Sequence, residues 1–269
     1  MNDTPKLVAV DMDGTFLRSD NTFDEARFAR IRARMREAGC VFCVASGNQY
    51  YQLRDFFPGY DEEFSFVAEN GAFVKSGSEL LYTANVPRAT TDFVTDVCLG
   101  ESGVQTILCG VVSAYCQRGS VSREFFDVMS VYYHRLAWVD DLHAVDDRML
   151  KYALMVDEER TYEFYDILTR RLGGRMVPVT SGHGSIDLIL PGVHKAAGLE
   201  RLMDKLGIDA SACVAFGDGG NDVEMLDLAG TGYAMANAPQ EVKDAADAVC
   251  ASNDEDGVLV ELERIFSVG

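Results

Sequence analysis

Five short runs, mostly of consecutive apolar residues, set the first limit on this chain: LVAV (7–10), VFCVA (41–45), FSFVA (64–68), IDLIL (186–190) and CVAF (213–216). A strand with one wet face alternates apolar and polar side chains, whereas an unbroken run needs cover on both faces. The runs therefore read as strands of a parallel sheet held between layers of helix. Amphipathic stretches separate several of them. FDEARFARIRARMREAG (23–39) lines up Phe28, Ile31 and Met35 on one stripe and reaches Gly39 where a C-terminal cap belongs. KAAGLERLMDKLG (195–207) does the same with Leu199, Leu202, Met203 and Leu206. Strand and helix in alternation give an α/β fold, a doubly wound Rossmann-like parallel sheet.

Residues 86–184 read differently. VQTILCG (104–110), VVSAYCQ (111–117), KYALMVD (151–157) and GRMVPVT (174–180) suit shorter strands, interleaved with helical patterns at 123–136 and 159–172. This α+β pattern predicts an inserted cap domain over 86–184, between core segments 1–85 and 185–269, with crossings near 85–88 and 182–185. At 269 residues the chain is long enough for two domains with separate cores.

A net charge of −19 argues against nucleic acid and anionic membrane surfaces as partners, since phosphate backbones are gripped by clustered Lys and Arg. No apolar stretch approaches the roughly 18 residues that cross a bilayer. The N-terminus lacks the basic start and apolar core of a secretory signal, and the cytoplasm is the expected location. Seven cysteines, an odd number, lie mostly inside apolar runs and are not expected to form a disulfide framework. The one close pair, Cys40 and Cys43, falls in a strand-like run that turns the two side chains to opposite faces. An acidic protein that handles anions needs a local positive centre, a metal ion or a placed lysine.

In an open α/β sheet, ligands sit beyond the carboxyl ends of the strands. LVAV ends there in DMDGT. Asp11 and Asp13 project to one side while the backbone stays extended, about 6.6 Å apart along the chain. Asp and Gly are also plain turn residues, so the pair alone leaves both readings open. CVAF ends in GDGGND, which aims Asp218 at the same edge ahead of Asn221 and Asp222, either of which suits a helix cap. Carboxylates converging there repel one another unless a hard cation lies between them, and Mg²⁺ takes few carboxylates and pairs with substrate phosphate. VFCVA ends in Ser46, Gly47 and Asn48, whose hydroxyl and amide groups suit an anion or a plain helix start. Lys195 opens a helix, the electrostatically unfavourable end for a cation, which favours its use as a phosphate clamp. His194 beside it has no histidine at ligand spacing.

In order and spacing, DMDGT, ASGN, the His194–Lys195 pair and GDGGND resemble the four motifs of the haloacid dehalogenase superfamily, most of all its Cof-type phosphatases with a large inserted cap. The likeness extends through ASGNQYYQLRDFFP, FVAENGA, VPVTSGHGSIDLI and PGVHKA to the bacterial sugar phosphatase of that group. It implies a phosphomonoesterase acting on small phosphorylated metabolites, sugar phosphates foremost. Asp11 is then the nucleophile and Asp13 the acid and base, with Asp11, Asp13 and Asp218 holding Mg²⁺, Asp13 through its carbonyl. Met12, Ser46, Gly47, Lys195 and Asn221 hold the phosphoryl oxygens, and Asp222 and Asn48 stand behind them. Asn48 departs from the arginine common after the Ser/Thr-Gly pair, and His194 from small or acidic residues.

A sugar phosphomutase uses the same aspartates but needs a second phosphate site in the cap, where only scattered Arg118, Arg123, Arg135 and Arg148 stand. A regulatory phospho-acceptor lacks an inserted domain and is disfavoured. In the cap linker, His183 between Gly182 and Gly184 is a candidate for contacting a sugar hydroxyl, or a plain loop histidine.

Overall fold

The computed structural model describes residues 4–182 and 184–268. In chain order the strands are β1 (Leu7–Val10), β2 (Val41–Ala45), β3 (Ser65–Ala68), β4 (Phe73–Ser76), β5 (Glu79–Thr83), β6 (Gln105–Gly110), β7 (Ala114–Gln117), β8 (Leu136–Val139), β9 (Met149–Met155), β10 (Val177–Gly182), β11 (Ser185–Ile189), β12 (Cys213–Gly217), β13 (Thr231–Ala234) and β14 (Ala248–Val249). The α-helices are α1 (Glu25–Glu37), α2 (Tyr50–Asp55), α3 (Arg88–Leu99), α4 (Arg123–Met129), α5 (Thr161–Leu172), α6 (Lys195–Leu206), α7 (Val223–Leu228), α8 (Gln240–Ala245) and α9 (Gly257–Ile265).

Packing divides the chain into two compact units, Met1–Gly47, Gly59–Leu81 and Lys195–Gly269 in the first, and Asn48–Pro58 and Tyr82–His194 in the second. The first is built on an eight-stranded sheet in the order β14-β13-β12-β1-β2-β3-β4-β5. The six strands from β14 to β3 run parallel, and β4 returns antiparallel beside β3. Every residue of β1 is fully buried, as its unbroken apolar run requires. Val10 pairs with Val44 of β2 and with Phe216 of β12, so the residues that follow these three strands emerge at one edge. On α1 the stripe residues Phe28, Ile31 and Met35 are buried, and Gly39 takes the positive φ of 67° that ends a helix cleanly.

The second unit contains a six-stranded sheet, β10-β11-β9-β6-β7-β8. One core cluster joins Val94 and Cys98 of α3 and Phe164 and Leu168 of α5 to Leu108, Tyr152, Leu154 and Ile186. Another packs Phe125 and Met129 of α4 on Ile107, Cys109 and Ala153.

Several expectations change here. IDLIL is not a parallel core strand: as β11 it pairs antiparallel with β9 and β10, and the second unit runs on to His194. β11 lies beside the edge strand β10 and buries Ile186, Leu188 and Ile189 while Ser185 and Asp187 are half-buried, the alternation of an antiparallel strand that Asp187 within the run signals. The segment 48–58 also groups with the second unit. The helix expected over 123–136 stops at Met129 and is followed by β8, while α3 adds a third helix to the two expected. Leu206 lies at the end of α6, 36% exposed. All seven cysteines are free and buried, and burial pushes the Cys40 thiol up to about 12.

Candidate active site

Asp11 follows β1 directly, and its amide donates to the Phe216 carbonyl of β12 at 3.0 Å. That bond carries the sheet ladder one step past the strand and leaves the carboxylate at the edge, 7% exposed. The chain then turns sharply through Gly14, which has φ +76°. A Cβ there would run into the Asp218 carboxylate, so the turn needs glycine for its backbone and for its bareness. Thr15, 1% exposed, donates its hydroxyl to Asp218 Oδ1 at 2.6 Å. Its amide is taken by the Met12 carbonyl at 3.3 Å and is not spare for an anion.

Lys195 opens α6 with its side chain 1% exposed, donating from Nζ to Asp11 Oδ1 at 2.7 Å and Asp222 Oδ1 at 2.6 Å. Asp222 Oδ2 in turn accepts the amides of Asp218 and Gly219 at 3.0 and 2.9 Å. Both oxygens of Asp222 are thereby engaged, and the loop carrying Asp218 is pinned to the lysine through it. Asn221 Nδ2 donates to Asn70 Oδ1 at 3.0 Å.

The charges of the site do not balance. Asp11, Asp218 and Asp222 bring ligand oxygens within 4.8 Å of one another, three carboxylates against the single ammonium of Lys195. Burial holds the Asp11 carboxyl well above its usual range; Lys195 opposes this, while Asp222 and Asp218 reinforce it. Burial likewise pushes Asp218 up to about 6, against the hydrogen bond from Thr15. Lys195 is driven the other way: burial alone would lower it, but Asp11 and Asp222 outweigh that and keep it charged. Among the described residues, Asp11 Oδ2 and Asp218 Oδ2 accept no hydrogen bond. Two such oxygens in an all-oxygen, electron-rich pocket fit a hard divalent cation. Asp222 is the poorest ligand of the three because its lone pairs are already directed at Lys195 and two amides.

Comparison with known proteins gives the family. The family model described as haloacid dehalogenase-like hydrolase matches residues 8–262. The chain belongs to that family. It is a phosphatase of the Cof type. The hydrolase is 42% identical over 261 residues to the 5-amino-6-(5-phospho-D-ribitylamino)uracil phosphatase YbjI of Escherichia coli, covering 97% of this chain and 96% of the relative. It is 28% identical to the Bacillus subtilis phosphatase YitU of the same description, across 100% of both. A crystal structure from Streptococcus mutans superposes with a TM-score of 0.92 at 36% identity, covering 98% of this chain and 99% of that one.

The residues expected to act together divide as follows in the hydrolase. Asp11, Lys195, Asp218 and Asp222 form one connected cluster. Asp13 stands outside the carboxylate cluster and is exposed, with a β-bridge to Leu17. Met12 is fully buried and its carbonyl receives the amides of Thr15 and Leu17. Ser46 is 2% exposed, its amide held by the Val67 carbonyl at 2.9 Å. Asn48 groups with the second unit, and His183 lies outside the described residues. Sequence reasoning missed Thr15 as a partner of Asp218, and it missed Asn70. Glu69 and Asn70 both carry positive φ, 52° and 54°, ahead of Gly71 at 86°. Two successive non-glycine residues in that region cost about 1–3 kcal/mol each. The signal available was ENG at a strand end, since Asn before Gly favours left-handed turns.

Proposed function

We propose that this phosphatase is a Mg²⁺-dependent phosphomonoesterase that works through an aspartyl-phosphate on Asp11, with sugar phosphates and phosphoribityl compounds as its substrate class. The observation that carries the reading is the buried Lys195 bridging Asp11 and Asp222, with Asp218 beside them, at the carboxyl edge of a parallel sheet. A lysine so placed neutralises a phosphoryl group brought against Asp11 and works against the burial that favours the protonated form of the attacking carboxyl.

The Asp11 carboxylate attacks phosphorus; its new P–O bond forms as the bond to the leaving alcohol breaks, and Asp13 passes its proton to that alcohol. Asp13 then takes a proton from water, whose oxygen attacks phosphorus and releases Asp11. The exposure of Asp13 suits a group that must exchange protons with alcohol and solvent in turn. Asp11 and Asp218, with the Asp13 carbonyl, would hold Mg²⁺. Bound there, the cation supplies charge screening that lets one anion approach another. Ser46, Gly47, Lys195 and Asn221, with the Met12 amide, hold the phosphoryl oxygens, and Asp222 fixes Lys195.

The relatives named for a phosphorylated ribityl compound move that class ahead of the simple sugar phosphates expected from sequence. Phosphate release should be measured across 5-amino-6-(5-phospho-D-ribitylamino)uracil, flavin mononucleotide, hexose and pentose phosphates and nucleotides, with and without Mg²⁺. Metal-dependent release concentrated on the ribityl and sugar esters supports the reading; release confined to nucleotides, or indifferent to metal, removes it.

A further inference from the structure

Three loops of the first unit meet at a residue that lies outside the four motifs DMDGT, ASGN, His194–Lys195 and GDGGND. Asn70 follows β3, is 2% exposed, and sits in the left-handed region between Glu69 and Gly71, which share that conformation. The unusual backbone is tied to two of the residues assigned to phosphoryl binding. Asn70's amide donates to the Ser46 carbonyl at 3.1 Å, and its side-chain oxygen accepts from Asn221 Nδ2 at 3.0 Å. The same carboxamide backs onto Gly47, where an added Cβ would stand 3.2 Å from both Asn70 Nδ2 and Oδ1. Asn221 Oδ1 lies on the opposite side, 2.8 Å from where a Cβ of Gly219 would be.

We propose that Asn70 is a positioning residue for phosphoryl binding: its side chain turns the Asn221 carboxamide so that the donor end faces the Ser46–Gly47 loop, and its backbone holds that loop in place. This rests on the phosphatase reading of the site. The chemistry follows from the amide group. Asn221 has one acceptor and two N–H donors at its tip, and only the donor end can serve a phosphate oxygen. An acceptor fixed at Asn70 engages one of those hydrogens and leaves the other directed by the same rotation. Without that acceptor the carboxamide can rotate by half a turn and present its oxygen to an anion. A left-handed backbone persists where surrounding contacts over-determine it, and here the contacts are to the loops that would grip the ligand.

Asn70→Gly separates the side chain from the backbone, because glycine adopts the left-handed turn without strain. In the full-length protein with Mg²⁺, KM for p-nitrophenyl phosphate and the inhibition constant for inorganic phosphate should each rise about tenfold, the scale of one orienting hydrogen bond. The melting temperature should stay within a few degrees. Asn221→Ala should raise the same two constants, and adding Asn70→Gly to it should bring less than about a further twofold rise, since the two act through one contact. Independent, multiplying effects would overturn the proposal. So would Asn70→Gly that lowers only the melting temperature, or that leaves both constants within about twofold of the parent. Asp11→Asn, measured alongside, separates the failures. Turnover abolished there with Asn70→Gly silent overturns the role of Asn70 alone; turnover retained there overturns the reading of the site and the role of Asn70 with it.

Discussion

Replacing Lys195 by methionine removes the one positive charge that, among the described residues, pairs with both Asp11 and Asp222, while keeping an unbranched side chain of similar length. The ammonium is 1% exposed and lies 2.7 and 2.6 Å from the two carboxylates, so its loss strands them in a buried site. Breaking a buried ion pair by deleting one partner costs about 3–5 kcal/mol. At roughly 2–4 °C per kcal/mol for a protein of this size, the melting temperature of the metal-free protein should fall by about 6–20 °C. The assay is a thermal melt of parent and Lys195→Met in chelator near neutral pH, repeated with Mg²⁺ and at lower pH. Added Mg²⁺ should recover more in the variant than in the parent, because a cation replaces part of the missing charge. The deficit should also narrow as pH falls, since protonated carboxyls no longer repel. Phosphate release should be lost at every metal concentration. A metal-free melting temperature within about 2 °C of the parent would refute the reasoning, for it would mean that Lys195 is not what holds the carboxylates together.

Asp218→Ala should require at least about tenfold more Mg²⁺ for any residual activity, read from metal titrations of phosphate release; an unchanged titration would show that GDGGND is a helix start and nothing more. Gly14→Ala should cut turnover and weaken metal dependence together, because its Cβ meets the Asp218 carboxylate and its φ of +76° resists any side chain; normal kinetics would remove the turn from the account. His143 bonds to Asp141 at 3.0 Å and Asp96 at 3.1 Å. Burial works to lower its pKa, but the hydrogen bond and charge of Asp141 and the charge of Asp96 outweigh it and raise the value above 6.5. Its stabilising contribution is therefore complete below pH 6.5 and fades as pH rises through the folded value. Parent and His143→Gln melts should differ at pH 5.5 and converge by about pH 9; a gap that widens with pH would reverse the sign.

The parts of the fold legible in the sequence are those where one residue pattern has one structural use. LVAV, VFCVA and CVAF became β1, β2 and β12, and their parallel register is why Asp11, Ser46 and Asp218 emerge at one edge. IDLIL misled because Asp187 breaks the run: β11 alternates buried Ile186 and Leu188 with half-buried Ser185 and Asp187, as an antiparallel strand does. Within the site, Asp11, Lys195, Asp218 and Asp222 stood out through charge placed at strand and helix ends. Asp222 was legible by position, but its grip on the Asp218 and Gly219 amides depends on how the loop folds back. Thr15 and Asn70 were hidden for another reason. Each contributes through a partner distant in the chain, Thr15 to Asp218 and Asn70 to Asn221, and local pattern carries no trace of such pairing.

The central claim is that Asp11 carries the phosphoryl group between substrate and water. It is tested most directly in an Asp13→Ala protein, where loss of the base should slow the second step and let the intermediate accumulate. The variant would be mixed with a phosphomonoester and Mg²⁺, quenched in acid within seconds, digested, and read by mass spectrometry. The account predicts one phosphoryl group on the peptide spanning residues 6–17 of the variant, assigned by fragmentation to Asp11 and absent from Asp11→Asn/Asp13→Ala. Phosphate release that continues with no modified peptide, or a phosphoryl group on any other residue, would contradict it.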